Sequence, residues 1–288
     1  MHISGIRAVV TGGASGIGRA IAEQLVARSC KVLIADIDGK RASDVAASLA
    51  HGAIGAHCDV ADHGSVQAFA DLAVASFGGI DLVFANAGVS VGGPLLDATP
   101  AELDWIFGIN VRGVWNTASV FGRIMRDSRT PGQICITASE HALGLQHTGI
   151  GLYTASKHAV LGLADVMRSE LPANIGISVL CPGLVATELH LSKRHGPIAQ
   201  DDDATLAFGQ AIMDRGMAAN EIARAALEGV QRGDFLIVTH PTALAAADRR
   251  HEEIAAAFAA QAPWSDEAAR YEVNNVIAAV TEGLEAST

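Results

Sequence analysis

Aromatic side chains are scarce in this chain of 288 residues: eight Phe, three Trp and only two tyrosines, Tyr153 and Tyr271. A core so short of rings must be packed by aliphatic side chains. Half of the residues are hydrophobic and 30 are Gly, which suits helices packed over a Val, Ile and Leu sheet. No Lys/Arg block occurs and the formal net charge is −11, which excludes a nucleic-acid or anionic-membrane partner that needs a clustered basic face. The four cysteines, Cys30, Cys58, Cys135 and Cys181, form no C-x-x-C pair, so zinc or dithiol chemistry is not indicated and buried free thiols are expected. No uninterrupted run of about 18 apolar residues supports a membrane span. The strand-like "IRAVV" stands almost at the N-terminus without a basic or long apolar leader, which predicts a cytoplasmic protein. "HEEIA" at His251 lacks a second histidine at i+4, and no serine sits in a G-x-S-x-G elbow, so zinc-helix and triad hydrolase chemistry fall away.

What the chain does have is alternation. "IRAVV", "KVLIAD", "AIGAHCD", "DLVFAN", "GQICITAS", "GISVLCPG" and "DFLIVTH" are short apolar runs separated by segments of helical period. The pattern predicts an α/β fold, a doubly wound parallel sheet of seven strands with helices on both faces. Helices are expected over Gly16 to Ser29, Asp62 to Phe77, Ala101 to Arg126 and Tyr153 to Leu171, with Pro172 as a stop. The polar stretch between Glu188 and Asn220 reads as a mobile excursion with short helices, and its Asp201 to Asp203 run as a solvated loop. One domain, residues 1–240, is expected, followed by an Ala-rich helical extension, residues 241–288, packed on the same domain or on a neighbouring subunit.

Two motifs carry the first chemistry. "VVTGGASGIGRAIAEQL" is a strand, a glycine turn (Gly12, Gly16, Gly18) and a helix start, which lets backbone N–H groups approach a pyrophosphate. The second strand ends at Asp36, where a carboxylate can bond the ribose hydroxyls of an adenine nucleotide; a helix cap is the competing use, one that Asp38 also offers. Tyr153 and Lys157 are spaced i, i+4 and so share a helix face.

In this order the motifs resemble the short-chain dehydrogenase/reductase family, from Gly5 to about His240. They are the TGxxxGxG turn of Thr11 to Gly18, Asp59–Val60, the "NAG" of Asn86, Ala87 and Gly88, then Asn110, Ser139, YxxxK at Tyr153 and Lys157, and PGxxxT at Pro182, Gly183 and Thr187. The resemblance implies a Rossmann-type oxidoreductase that interconverts a secondary alcohol and a ketone, with Asn110, Ser139, Tyr153 and Lys157 as its catalytic set. It also implies a cofactor site made of Gly12, Ser15, Gly16, Ile17, Gly18, Asp36, Ile37, Asp59, Val60, Asn86, Ala87, Gly88, Tyr153, Lys157, Pro182, Gly183, Val185 and Thr187. Asp59 and Val60 would approach the adenine, Thr187 the nicotinamide carboxamide and Lys157 the nicotinamide ribose, while Asn110 would anchor a water. Ser139 and Tyr153 stand slightly further apart than in the family pattern. An unperturbed tyrosine titrates near a pKa of roughly 10, so a neighbouring Lys157 ammonium is expected to draw the phenol down and make it an acid/base group.

Asp36, the following Ile37 and the uncharged Ser15 predict NAD as the cofactor, with Lys40 and Arg41 as cations that could soften the preference. No metal is expected. Val89, Leu143, Leu145, Leu152, Val185 and Leu189 suggest an apolar pocket for a bulky hydrophobic or aromatic alcohol or ketone. His141, His147, His190 and His195 border the substrate or the surface. The tail after "THP" (Thr239 to Pro241) is similar to dehydrogenases of large lignin-derived aryl alcohols. The family's assembly through the helices over Ala101 to Arg126 and Tyr153 to Leu171 implies a homodimer or homotetramer. The alternative on the same fold is a catalytically idle nucleotide-sensing or scaffold protein.

Overall fold

The computed structural model describes residues 1–49, 52–144 and 146–285, and divides into two compact units that meet at Ala243 and Leu244. In the first unit the chain runs β1 (Arg7–Thr11), α1 (Gly16–Val26), β2 (Lys31–Asp36), α2 (Gly39–Ser48), β3 (Ile54–His57), α3 (His63–Phe77) and β4 (Leu82–Ala85). It continues through α4 (Pro100–Phe107), α5 (Val114–Ser128), β5 (Gly132–Thr137), α6 (Gly151–Glu170) and β6 (Ile175–Cys181). Then come β7 (Val185–Ala186), α7 (Asp203–Met213), β8 (Met217–Ala218), α8 (Ala219–Arg232) and β9 (Leu236–Val238).

The main sheet has seven parallel strands in the order β3-β2-β1-β4-β5-β6-β9. All seven apolar runs are therefore strands. They read as continuous hydrophobic runs because both faces of the sheet are covered. The pleat divides them: Val9, Leu33, Val83 and Ile134 pack on one face with Phe69 of α3 and Phe121 of α5. Val10, Ile34, Phe84 and Cys135 pack on the other with Ile21 of α1 and Leu227 of α8. The four cysteines are free and buried, and burial pushes the Cys58 thiol up to about 11 and that of Cys181 to about 12, so neither is a thiolate at neutral pH. The strand order reverses between β2-β1 and β4, and the carboxyl ends of the strands at such a switch point form a crevice.

Helix starts follow local chemistry. Asp38 caps α2, Asp62 caps α3 and Asp202 caps α7, while Thr99 and Glu102 make a reciprocal capping box on α4. At α1 the side chain of Ser15 makes no cap hydrogen bond. Between α4 and α5 the helix is not continuous α, as its apolar pattern had suggested. Gly108–Gly113 forms a π-turn, a local widening that often marks a functional site, and Asn110 lies within it. The stretch from Glu188 carries the short helices expected of it: Leu189–His195 is a 3-10 helix and α7 a helix of 11 residues, with the β7–β8 pair as an addition.

The second unit is helical, with α9 (Leu244–Gln261), α10 (Asp266–Ala269) and α11 (Val273–Glu285). It exposes Ile254, Phe258, Trp264 and Tyr271. Among the described residues no helix is long and apolar enough to cross a membrane.

Candidate active site

The crevice is a single cavity of about 1070 Å³. At one end are the glycine turn and the tip of β2; at the other are Ser139, Tyr153 and Lys157. Each of the named cofactor residues lines it except Gly18. That glycine is buried, and a Cβ there would stand 2.2 Å from the Gly12 carbonyl oxygen and 2.6 Å from Asn86 Nδ2. Its function is close packing of helix on turn, so the assignment of Gly18 to cofactor contact is corrected to a support beneath the contacts.

Gly12 itself has φ +63°, and a Cβ on it would meet Ala87 Cα at 2.8 Å. The turn is thereby pressed against the Asn86–Gly88 segment. Thr11 makes the junction: its hydroxyl accepts from the N–H groups of Asn86 and Ala87 at 3.0 and 3.1 Å and donates to the Phe84 carbonyl at 3.3 Å. Asn86 extends the chain of bonds, its Nδ2 donating to the Thr11 carbonyl at 3.2 Å and its Oδ1 accepting from Thr137 at 3.1 Å. Three strand ends, those of β1, β4 and β5, are thus fixed relative to one another. From across the cleft, the Thr187 methyl approaches Gly16 so closely that a Cβ there would lie 3.1 Å away.

These features fit a dinucleotide. The first amides of α1 have no side-chain cap and lie behind a turn free of side-chain obstruction, which suits a pyrophosphate. Asp36 is held in place by Ala14 N–H at 3.0 Å and by Asp38 N–H at 3.1 Å, and it faces the cavity. Its use as a ribose acceptor and its use as a local anchor are compatible, since a carboxylate has about four lone-pair sites. Asp38, not Asp36, caps α2.

At the other end, Lys157 is 3 % exposed and donates to the Thr137 carbonyl at 2.9 Å. Its Nζ lies 5.5 Å from the centre of the Tyr153 ring. The expected electrostatic consequence does not dominate. Burial pushes the Tyr153 phenol up to about 12, with the Ser139 hydroxyl easing it down and Glu140 adding to the rise. Burial likewise takes the Lys157 ammonium down to about 8. The i, i+4 spacing fixed the proximity correctly, but desolvation of both groups outweighs their attraction.

Asn110 is fully buried and does not line the cavity. Its Nδ2 donates to the Val89 carbonyl at 2.9 Å and to Ser156 Oγ at 3.0 Å, and its Oδ1 accepts from Val89 N–H at 2.8 Å. Ser156 in turn donates to the Tyr153 carbonyl at 2.8 Å. Asn110 is therefore a brace between the π-turn, the Val89 segment and the turn of α6 that carries Tyr153, with one Oδ1 lone pair left over. Ser139 Oγ accepts from His141 N–H at 3.3 Å and donates to the Pro182 carbonyl at 3.4 Å.

Of the apolar pocket residues, Val89, Val185 and Leu189 line the cavity. Leu143 instead packs on the main core and Leu152 on a separate cluster with Val91 and Ile106, so both are corrected to structural positions; Leu145 lies outside the described residues. The wall that sequence reasoning missed comes from Trp105, Ile150, Phe208, Ile212 and Met213. The i, i+4 pair Phe208 and Ile212 on α7 was the available signal. All four flagged histidines line the cavity. His141 is buried, its Nδ1 2.8 Å from Thr154 Oγ1 and its ring edge-on to Tyr153 at 5.5 Å. Burial, then the neighbouring His147, takes its imidazole down to about 4, so it is neutral near pH 7. His240 of the "THP" segment was not foreseen as a clasp: its Nδ1 accepts from Gly183 N–H at 3.0 Å, and its Nε2 lies 3.1 Å from the Leu184 carbonyl.

Among known proteins, the short chain dehydrogenase family pattern matches residues 7–197. (+)-Borneol dehydrogenase 1 of Salvia officinalis is 35% identical over 237 residues, covering 78% of this chain and 86% of the relative. The crystal structure of a short chain dehydrogenase/reductase from Burkholderia phymatum in complex with NAD superposes with a TM-score of 0.84 at 34% identity, over 92% of this chain and 99% of that one. The apo form of LigO from Sphingobium sp. strain SYK-6 gives 0.77 at 30% identity, over 96% and 98%. With its seven-stranded sheet, its glycine turn and a pattern that spans most of the first unit, this chain belongs to the short chain dehydrogenase family, oxidoreductases that work with a nicotinamide cofactor.

Proposed function

We propose that the protein is an NAD-dependent dehydrogenase that interconverts a bulky, hydrophobic or aromatic secondary alcohol and its ketone, with Tyr153 as the acid/base group. The observation that carries this reading is that one cavity joins the glycine turn and Asp36 to Ser139, Tyr153 and Lys157. When bound, the nicotinamide dinucleotide supplies hydride acceptance and donation. In oxidation Tyr153 takes the substrate hydroxyl proton, and in reduction the phenol gives it back. Ser139 holds the same oxygen in place. Lys157, fixed by the Thr137 carbonyl and still mostly protonated at neutral pH, favours the phenolate as it forms, which offsets part of the burial cost on Tyr153. Asn110 keeps the Tyr153 turn in register through Ser156.

NAD is supported by Asp36, which would face a 2′-phosphate with like charge, and by the uncharged Ile37 beside it. The two cations that could have softened this are engaged, Lys40 with Asp44 at 2.6 Å and Arg41 with Glu188 at 2.7 Å. A bulky apolar substrate is supported by Trp105, Ile150, Leu189, Phe208 and Ile212 in the cavity wall, and by a relative named for the alcohol borneol. The test is kcat/KM for NAD and NADP across secondary alcohols of increasing size. At least a tenfold preference for NAD is expected, since about 1.4 kcal/mol suffices for it. Equal use of NADP would overturn the cofactor reading, and turnover of small aliphatic alcohols alone would overturn the substrate reading.

A homo-oligomer built on α5 and α6 belongs to the same proposal, supported by Trp115 and Val166, which stand 46% and 56% exposed on those helices. Light scattering at micromolar concentration is expected to give a multiple of 29.7 kDa; a single chain mass would reject it.

A further inference from the structure

Arg41 occupies the first turn of α2, just beyond the tip of β2, and its backbone N–H donates to the Asp38 cap at 2.9 Å. Its guanidinium is committed elsewhere. Both terminal nitrogens donate to Glu188, one to each carboxylate oxygen at 2.7 Å, the fork-on-fork geometry that gives Arg–carboxylate pairs their strength and direction. Glu188 comes from the opposite wall of the cleft, directly after Thr187. A second donor, Arg194, holds it there at 2.6 Å. Arg41, Glu188 and Arg194 line the same cavity as Asp36.

Proteins that accept an adenosine 2′-phosphate generally place an arginine near the end of the second strand. This chain has such an arginine at the backbone level. Its planar fork can serve a carboxylate or a phosphate with its two terminal nitrogens, not both at once. The neighbouring cation Lys40 does not line the cavity and pairs with Asp44 in solvent, so Arg41 is the cation that matters.

We infer that Glu188 is a specificity-determining residue for the cofactor, holding the Arg41 fork so that it is withheld from a 2′-phosphate. This rests on the NAD reading above and gives it a second cause. Asp36 repels a 2′-phosphate by like charge, and Glu188 removes the cation that would have offset the repulsion. The consequence is that Asp36 need not be altered for NADP binding to improve.

The experiment is calorimetric titration of the full chain with NAD and with NADP, in the wild type, in Glu188→Gln, in Arg41→Gln and in the double variant. NAD and NADP differ only by the 2′-phosphate, and the readout is binding, with no turnover required. A further variant, Glu188→Gln with Arg194→Gln, carries the same formal charge as the wild type but keeps Arg41. A gain in NADP affinity that persists there comes from the freed arginine, and a gain that vanishes there comes from a general loss of negative potential and would overturn the inference. Glu188→Gln is expected to tighten NADP by about tenfold while the Kd for NAD moves by less than about twofold. Adding Arg41→Gln is expected to return NADP to its wild-type affinity. Unchanged NADP affinity in Glu188→Gln, a gain that survives Arg41→Gln, or a matching loss of NAD binding would each overturn the inference. If the wild type binds NADP as tightly as NAD, it is the NAD reading that falls, and that result is visible before any variant is made.

Discussion

The two ends of the cavity are built from different materials. At the cofactor end the walls are backbone: Gly12, Gly16 and the amides of α1, pressed against Ala87 and tied through Thr11 and Asn86 to three strand ends. At the substrate end the walls are side chains from scattered elements, Trp105 from α4 and Phe208, Ile212 and Met213 from α7. Backbone walls tolerate almost no added atom. Side-chain walls can be recut at the cost of one contact. The first end therefore suits the shared nicotinamide cofactor, and the second end is where substrates would be told apart.

A paired substitution is the sharpest way to break that contrast. Gly18→Ala places a methyl 2.2 Å from the Gly12 carbonyl oxygen, where only backbone movement can relieve it. Overpacking of this kind costs about 1–3 kcal/mol or more, and cofactor affinity measured by NADH fluorescence is expected to fall by about a hundredfold. Phe208→Ala is expected to leave cofactor affinity unchanged and to lower kcat/KM for a bulky alcohol by about tenfold, or ~1.4 kcal/mol. Equal cofactor losses in both variants would remove the distinction between the two ends.

The same contrast governs what the sequence could reveal. The inner strands were legible because they are buried on both faces, the edge strands β3 and β9 as short apolar runs that are only partly covered, and the glycine turn because its constraint is local. Asn110, Ser139, Tyr153 and Lys157 could be named from their order, and Tyr153 and Lys157 fall together as helix spacing requires. The π-turn around Asn110 was not legible, since its apolar pattern reads as one continuous helix. Nor was the direction of the Tyr153 shift, because desolvation depends on neighbours distant in sequence, among them the Ser139–His141 segment and the Val91, Ile106 and Ile198 cluster. Leu143 and Leu152 were assigned to the pocket on their apolar character and their nearness to the catalytic motifs. The assembled fold turns them into the core and brings in Phe208 and Ile212 from a stretch that had read as an excursion.

A smaller effect tests the substrate end by pH. The His141 imidazole is held down to about 4 in the fold, against about 6.5 for the unfolded chain. Between those values the unfolded chain binds the extra proton, so stability is highest above the unfolded pKa and is lost as pH falls toward 4. Between pH 7 and pH 5 this one group contributes a loss of about 2 kcal/mol. Denaturant melts of His141→Gln are expected to lose that much less than the wild type over the same interval. Parallel losses would mean that His141 titrates normally. Glu188, held down to about 2, acts in the same direction only below its unfolded pKa and is 39% exposed, so its share is small.

The most direct measurement concerns Tyr153 itself. Tyr153→Phe keeps the ring against His141 and Lys157 and removes only the phenol oxygen, so binding and chemistry can be read separately. NADH affinity within about twofold of wild type, together with a fall in kcat of roughly a hundredfold or more, is the result expected if this phenol moves the proton. Near-wild-type kcat in the folded variant would contradict it, and the tetrad would then be a feature of the fold and not of the reaction.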